Sequence, residues 1–200
     1  MFMKKILLLV AFLPFCLNAQ NIKLPDPVRE GGKPLMEALN HRRSSRSFVG
    51  KELSPQMLSN LLWAAFGYNR ADKRTAPSAL NKQSIEIYVA TPHGIYLYAP
   101  KQNELQLKVK GDYRKQTGIQ PFVGTAYMEL IYISKTIPVN TEMLYADCGF
   151  IAQNVYLFCA SEKLGTVVRG SVPKEELVKI LGLSNKNQIL LCQTVGYNKN

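Results

Sequence analysis

Apolar and polar positions follow two periods along this chain, and each block predicts an element. Leu35, Ala38, Leu39 and Arg42 keep a helical spacing, so a first helix ends near the arginines that follow. Ser54-Pro55 heads a second helix: the serine oxygen caps free N–H groups, and proline fits the first turn. Leu58, Leu61, Leu62 and Ala65 give that helix an apolar stripe, and Gly67 ends it. Ile85, Ile87 and Val89 alternate with Glu86 and Tyr88, which predicts a half-buried strand. His93-Gly94 turns the chain, and residues 95–99 and 104–109 form a hairpin around Pro100-Lys101-Gln102-Asn103. Residues 127–134 make another strand. Residues 142–164 form the longest helical stretch, closed by Gly165. Ser171, Pro173, Glu175 and Glu176 open a shorter helix ending near Gly182, and residues 188–195 finish as a buried strand. Helices mixed with strands around a central hairpin predict one α+β domain.

The start of the chain reads differently. Lys4 and Lys5 precede an apolar run over residues 6–17, and Asn18-Ala19-Gln20 supplies a small residue where a peptidase cuts. The run is short of the roughly 20 residues that a spanning helix needs. Residues 1–19 are therefore expected to be a signal peptide and the mature chain to be exported, to the periplasm if bacterial. An uncleaved anchor in the membrane is the alternative. Lipid modification of Cys16 is the other, with bulky Phe15 where such sites have a small residue. Residues 20–34 hold three prolines and two glycines, the composition of an extended arm, and residues 35–200 form the domain.

Cleavage leaves 181 of the 200 residues, enough for one full core, and loss of two lysines lowers the formal charge from +11 to +9. The basic residues are scattered except at Arg42, Arg43 and Arg46, a local anion site rather than a face that tracks a duplex. No nucleic-acid partner is expected. Cys148, Cys159 and Cys192 sit in apolar runs, and an odd count cannot pair completely within one chain. With no CxxC, no HExxH and only His41 and His93, no metal site is expected.

Three segments could carry chemistry. Arg42-Arg43-Ser44-Ser45-Arg46 gathers guanidinium forks and hydroxyls that suit phosphate oxygens. Arg74-Thr75-Ala76-Pro77-Ser78-Ala79-Leu80-Asn81-Lys82-Gln83 is a loop of small and amide residues entering a strand, where backbone can approach a flat ligand. Leu164 to Ser171 has the glycine spacing of a phosphate loop, but Ser171 replaces the required lysine, so a nucleoside-triphosphate site is excluded. No G-x-G-x-x-G occurs, so no Rossmann dinucleotide site is indicated. Arg114 belongs to none of these motifs.

In this order the segments resemble the FMN-dependent nitroreductase family, from about Pro34 to Tyr197. Arg42-Arg43-Ser44-Ser45-Arg46-Ser47-Phe48 is similar to that family's basic-serine signature, which holds the flavin phosphate and ribityl chain. Pro77-Ser78-Ala79-Leu80-Asn81-Lys82-Gln83 resembles the loop that reaches the flavin from the partner subunit. Asp147-Cys148-Gly149 with Gln153-Asn154 is similar to the helix at the dimer core, and Thr194-Val195-Gly196-Tyr197 to the closing strand. Val168, Arg169 and Gly170 lie where the family's backbone touches the isoalloxazine ring. Within the family, Gly94 to Asp112 and Gln120-Pro121-Phe122-Val123 resemble the insert of SagB-like dehydrogenases. The Lys-Tyr dipeptide of azoline oxidases is absent, and the segment over residues 137–143, where it would lie, is short.

The resemblance implies a central, mostly antiparallel sheet flanked by helices, built as a two-fold homodimer with FMN at its interface. It implies cofactor binding by Arg42, Arg43, Ser44, Arg46, Arg74, Pro77, Ser78, Asn81, Gln120, Val168, Arg169 and Gly170, with Lys199 as the one candidate for a distal phosphate ligand. The implied activity is hydride transfer between small molecules, nitroaromatic or quinone-like acceptors first, with NAD(P)H as a possible donor. No catalytic side chain is assigned. Alternatives are SagB-like dehydrogenation of a peptide or small molecule, a non-enzymatic flavin carrier, and a module whose arginines face an anionic surface.

Overall fold

Residues 21–136 and 141–199 are described by a computed structural model. The expected leader and residues 137–140 of the short segment lie outside the described residues. The arm contributes β1 (Ile22–Lys23), followed by α1 (Leu35–His41), β2 (Phe48–Val49) and α2 (Pro55–Phe66). A small ribbon, β3 (Tyr68–Arg70) with β4 (Lys73–Arg74), leads to β5 (Ile85–Thr91), β6 (Gly94–Ala99), β7 (Glu104–Lys110) and β8 (Met128–Ser134). Then come α3 (Thr141–Ser161), β9 (Leu164–Arg169), α4 (Lys174–Leu181) and β10 (Gln188–Asn198).

Local chemistry explains most of these boundaries. Ser54 Oγ accepts the Met57 N–H at 3.2 Å and Pro55 takes the first helical position; such a cap stabilises by about 1 kcal/mol. Gly182 closes α4 in the left-handed conformation. The main sheet runs β1-β7-β6-β5-β8-β10-β2, with β9 on the other side of β10, and every pair is antiparallel. β10 is the hinge of the design, since its second half touches β8, β9 and β2 in turn.

Both faces of the sheet are covered. Ile85, Ile87 and Val89 pack with α2 and α3, whereas Tyr88 and Ala90 pack with Leu177 of α4. The expectation of a half-buried β5 is thus corrected: α4 closes the second face, so the polar-looking Tyr88 is buried too. A second correction concerns Gly165. The helix stops at Ser161, Lys163 turns with a φ of 59°, and Gly165 lies buried inside β9. The run Thr166-Val167-Val168 pairs with β10 and extends, so β-branching overrides the helical reading. Glycine is needed at 165 because a Cβ there would meet Asn198 and Phe48. Cys148, Cys159 and Cys192 are buried and free. Burial pushes the thiols of Cys148 and Cys192 up to about 12. Among the described residues no helix is long and apolar enough to cross a membrane, and no cluster could hold a metal.

Candidate functional site

The arginine segment leaves α1 at His41 and runs beside β9, where the Ser45 N–H donates to the Thr166 carbonyl at 2.9 Å. Asn198, at the end of β10, accepts from Ser45 Oγ, and the Lys199 N–H donates to the Ser47 carbonyl at 3.0 Å. The Arg42 guanidinium lies 5.2 Å from the Tyr156 ring centre, and Lys51 Nζ lies 4.8 Å from that of Tyr197. Between these elements opens a cavity of about 770 Å³. Arg42, Arg43, Lys33, Lys51, Lys163 and His41 line it, and among the described residues no carboxylate does. Among the described residues Lys33 pairs with Glu37 on α1, and His41 Nδ1 lies 4.0 Å from the same carboxylate. The five lysine and arginine side chains make the hollow chemically suited to a multiply charged anion. Its volume lies within the range of cofactor pockets, so the residues present fit a flavin phosphate.

The second segment is held elsewhere. Arg74 stacks 3.9 Å from the Tyr68 ring centre and 4.7 Å from that of Phe66. Its guanidinium donates to Gln83 Oε1 at 2.8 Å and to the Phe66 carbonyl at 3.0 Å, and burial pulls its pKa below the ordinary value. Ser78 Oγ accepts the Gln83 N–H, and Asn81 Oδ1 accepts from Gln83 Nε2. The Ala79 N–H donates to Asp147 Oδ1 at 2.9 Å, which pins the loop to the N-terminal half of α3. Burial pushes the Asp147 carboxyl up, against that hydrogen bond. Leu80, Asn81 and Gln83 all have positive φ, near 50°, and Leu80 is 82 % exposed. Such strain persists only where surrounding contacts over-determine it. Asp147 and Tyr156 are nine residues apart on one helix, about 14 Å along its axis. One chain therefore keeps Pro77, Ser78 and Asn81 away from the arginine cavity.

The third segment ends β9. Gly170 is exposed, and only Leu191 comes within 4 Å of where a Cβ would stand, so its backbone is approachable. Arg169 points the other way. Its side chain, 3 % exposed, pairs with Glu129 at 2.6 Å and donates to the Thr117 carbonyl at 2.8 Å. Thr194 Oγ1 closes the network by bonding both partners. Burial pushes the Glu129 carboxyl up while Arg169, Thr194 and the Gly124 N–H pull it down. Arg169 can thus offer a ligand only its backbone. Its side chain fastens the 112–127 segment, whose Gln120 Oε1 is buried without a hydrogen-bond donor. Arg114 is not idle either: it binds Asp112 and the Ala126 carbonyl in that segment.

The fold brings Arg42 and Arg43 to one cavity. Ser44 stands one hydrogen bond away, through Tyr156 at 2.9 Å. Arg46 and Lys199 are exposed and do not line it. Lys33, Lys51, Lys163 and Tyr156 were not singled out by sequence reasoning, because each lies outside the motifs and reaches the site only through the fold. Tyr156 had the one usable signal, two residues beyond Asn154.

Residues 39–197 match the sequence profile of the nitroreductase family. The chain is 30 % identical over 199 residues to a nitroreductase-type protein of Methanocaldococcus jannaschii, covering 90 % of this chain and 97 % of that one. A nitroreductase-type crystal structure from Ralstonia eutropha superposes with a TM-score of 0.85 at 39 % identity, covering 90 % of each chain. A microcin synthetase complex of E. coli shares the fold alone, with a TM-score of 0.68 at 18 % identity over 100 % of this chain and 85 % of that one. The α+β architecture with its mostly antiparallel sheet is the one the resemblance implied. The family match takes in the arginine segment, the strained loop and the closing strand alike, and the chain belongs to the nitroreductase family.

Proposed function

We propose that this chain is an FMN-dependent oxidoreductase that moves electrons between a donor and a small nitroaromatic or quinone-like acceptor. The acid-free basic cavity at Arg42 and Arg43 carries this reading, because a flavin phosphate dianion needs fixed positive charge. Bound FMN supplies the hydride chemistry, and the protein supplies orientation, electrostatics and access. Arg42, Arg43, Lys51 and Lys163 grip the phosphate, with Ser44 and Arg46 beside them. The exposed Gly170 N–H offers a donor to the ring edge. No side-chain acid, base or nucleophile is required, and donor and acceptor use the same cleft in turn.

A second copy of the chain completes this site. Leu35, Met36, Leu39, Leu80 and Phe150 are exposed apolar residues on α1, the strained loop and α3. An isologous dimer across these surfaces buries them and brings the partner's loop towards the arginine cavity. Arg74 and Asn81 then serve the flavin of the neighbouring subunit.

Within the family we place the chain beside the SagB-like branch, on the strength of the β6–β7 hairpin and the Gln120–Val123 segment. Without a Lys-Tyr dipeptide, azoline oxidation is not the proposed reaction. Export through the leader leads to a further proposal: nicotinamide is scarce outside the cytoplasm, so the physiological reductant is something else. Stopped-flow reduction by NADH far faster than by other donors would refute that.

The decisive experiment purifies residues 20–200, adds FMN and records the absorption spectrum and molar mass. A yellow dimer with two flavins that turns over a nitroaromatic supports the proposal. Yellow protein without turnover favours a flavin carrier. Colourless protein that binds anionic liposomes in a salt-sensitive way overturns the flavin reading.

A further inference from the structure

We infer that Tyr156 is a positioning residue that couples the phosphate loop to the ring-facing edge of β9, so that phosphate binding is felt at the Gly170 backbone. The inference rests on the flavin reading and assigns a role to a side chain outside every motif. Tyr156 stands on α3, 8 % exposed, and meets three elements of the site. Its ring lies under the Arg42 guanidinium at 5.2 Å. Its hydroxyl lies 2.9 Å from Ser44 Oγ and accepts the Val168 N–H at 3.0 Å.

The donor inventory sets the direction of this chain of bonds. A backbone N–H can only donate, so the phenol oxygen accepts from Val168. We assign the phenol's own proton to Ser44 Oγ, 2.9 Å away. Ser44 is left with its hydroxyl proton free for an anion. The result is a polarised line from the Val168 amide through Tyr156 to Ser44 and on to a phosphate oxygen, and such lines strengthen cooperatively. Val168 lies two residues before Gly170, so a phosphate that tightens the line also fixes the strand that faces the ring. A leucine or phenylalanine here would fill the same core space but leave the Val168 N–H without its acceptor.

The test compares FMN with riboflavin, which lacks the phosphate. In the wild type FMN binds far more tightly than riboflavin. In Tyr156→Phe the ring under Arg42 remains, and the FMN-to-riboflavin affinity ratio falls by about fivefold, the share of one hydrogen bond. A purely structural tyrosine lowers both affinities alike and leaves the ratio unchanged, which overturns the inference. Should Tyr156→Phe not fold, hydrogen exchange of the Val168 amide in the wild type decides: it slows more with FMN than with riboflavin, and equal protection by both refutes the coupling. A wild type that binds neither flavin sinks the flavin reading itself, a result distinct from an unchanged ratio.

Discussion

The two ends of α3 carry the same family signature in opposite physical states. At its C-terminal end, Arg42, Arg43, Lys51 and Lys163 surround a hollow with no carboxylate among the described residues of its walls. Their charge finds no partner lining the cavity. At the N-terminal end, Arg74 and Ser78 bond Gln83, Asp147 bonds the Ala79 N–H, and the residue left over is apolar Leu80, held outward at positive φ. One region gathers charge around a hollow, and the other satisfies its polar groups and leaves an apolar side chain exposed. The difference teaches why the proposed site needs two copies: one chain gathers the charged half, and its loop half, pinned to α3 through Asp147, lies at the other end of that helix.

The largest effect on flavin binding should come from emptying the charged end. Arg42→Ala and Arg46→Ala are each expected to weaken FMN retention about tenfold or more, and the double change a hundredfold or more, since charge-assisted bonds contribute about 1.5–3 kcal/mol each. Equilibrium dialysis measures this. Arg114 is unsuited as the control because it holds the Ala126 carbonyl; exposed Lys108 on β7 serves instead, with flavin retention unchanged. Retention equal to wild type in the double variant would erase the contrast between the two ends.

Next comes the apolar end. Leu80→Asp places a charge where two copies would meet, and the two-fold axis counts it twice. The dimer dissociation constant should rise by nearly a thousandfold, from roughly 2 kcal/mol of lost burial in each copy, as read by analytical ultracentrifugation. A dimer of undiminished strength would move the partner contact away from this loop.

These tests also mark how far the sequence could be read. α1, α2 and the β6–β7 hairpin were legible because caps, turns and period are local properties. β9 was hidden because Gly165 follows a long helix, and only β10, some thirty residues on, makes it a strand. The Arg42-Arg43-Ser44-Ser45-Arg46 cluster was legible as a concentration of positive charge since five adjacent residues carry it. Lys33, Lys51 and Lys163 were not, because scattered lysines gain meaning only when the fold gathers them. Arg169 shows a subtler limit: its position was noticed, yet nothing local indicated that Glu129 and Thr117 would bury its side chain.

The smallest effect sharpens the loop end through pH. Burial pushes the Asp147 carboxyl above its ordinary 3.8, so the folded chain binds this proton more readily than the unfolded chain does. Its charged form therefore costs stability. That cost is fully present above the folded pKa and is relieved as pH falls through it towards 3.8. Asp147→Asn keeps an oxygen for the Ala79 N–H but removes the titration. Relative to the asparagine variant, the wild type should gain stability on acidification across that window. The gain should be the smallest of these effects, because a single carboxyl carries it. Urea midpoints of both proteins at neutral and acid pH measure it. A wild type that instead loses ground as pH falls would mean that Asp147 is held ionised by the Ala79 N–H, and that the loop is anchored by charge rather than by a neutral hydrogen bond.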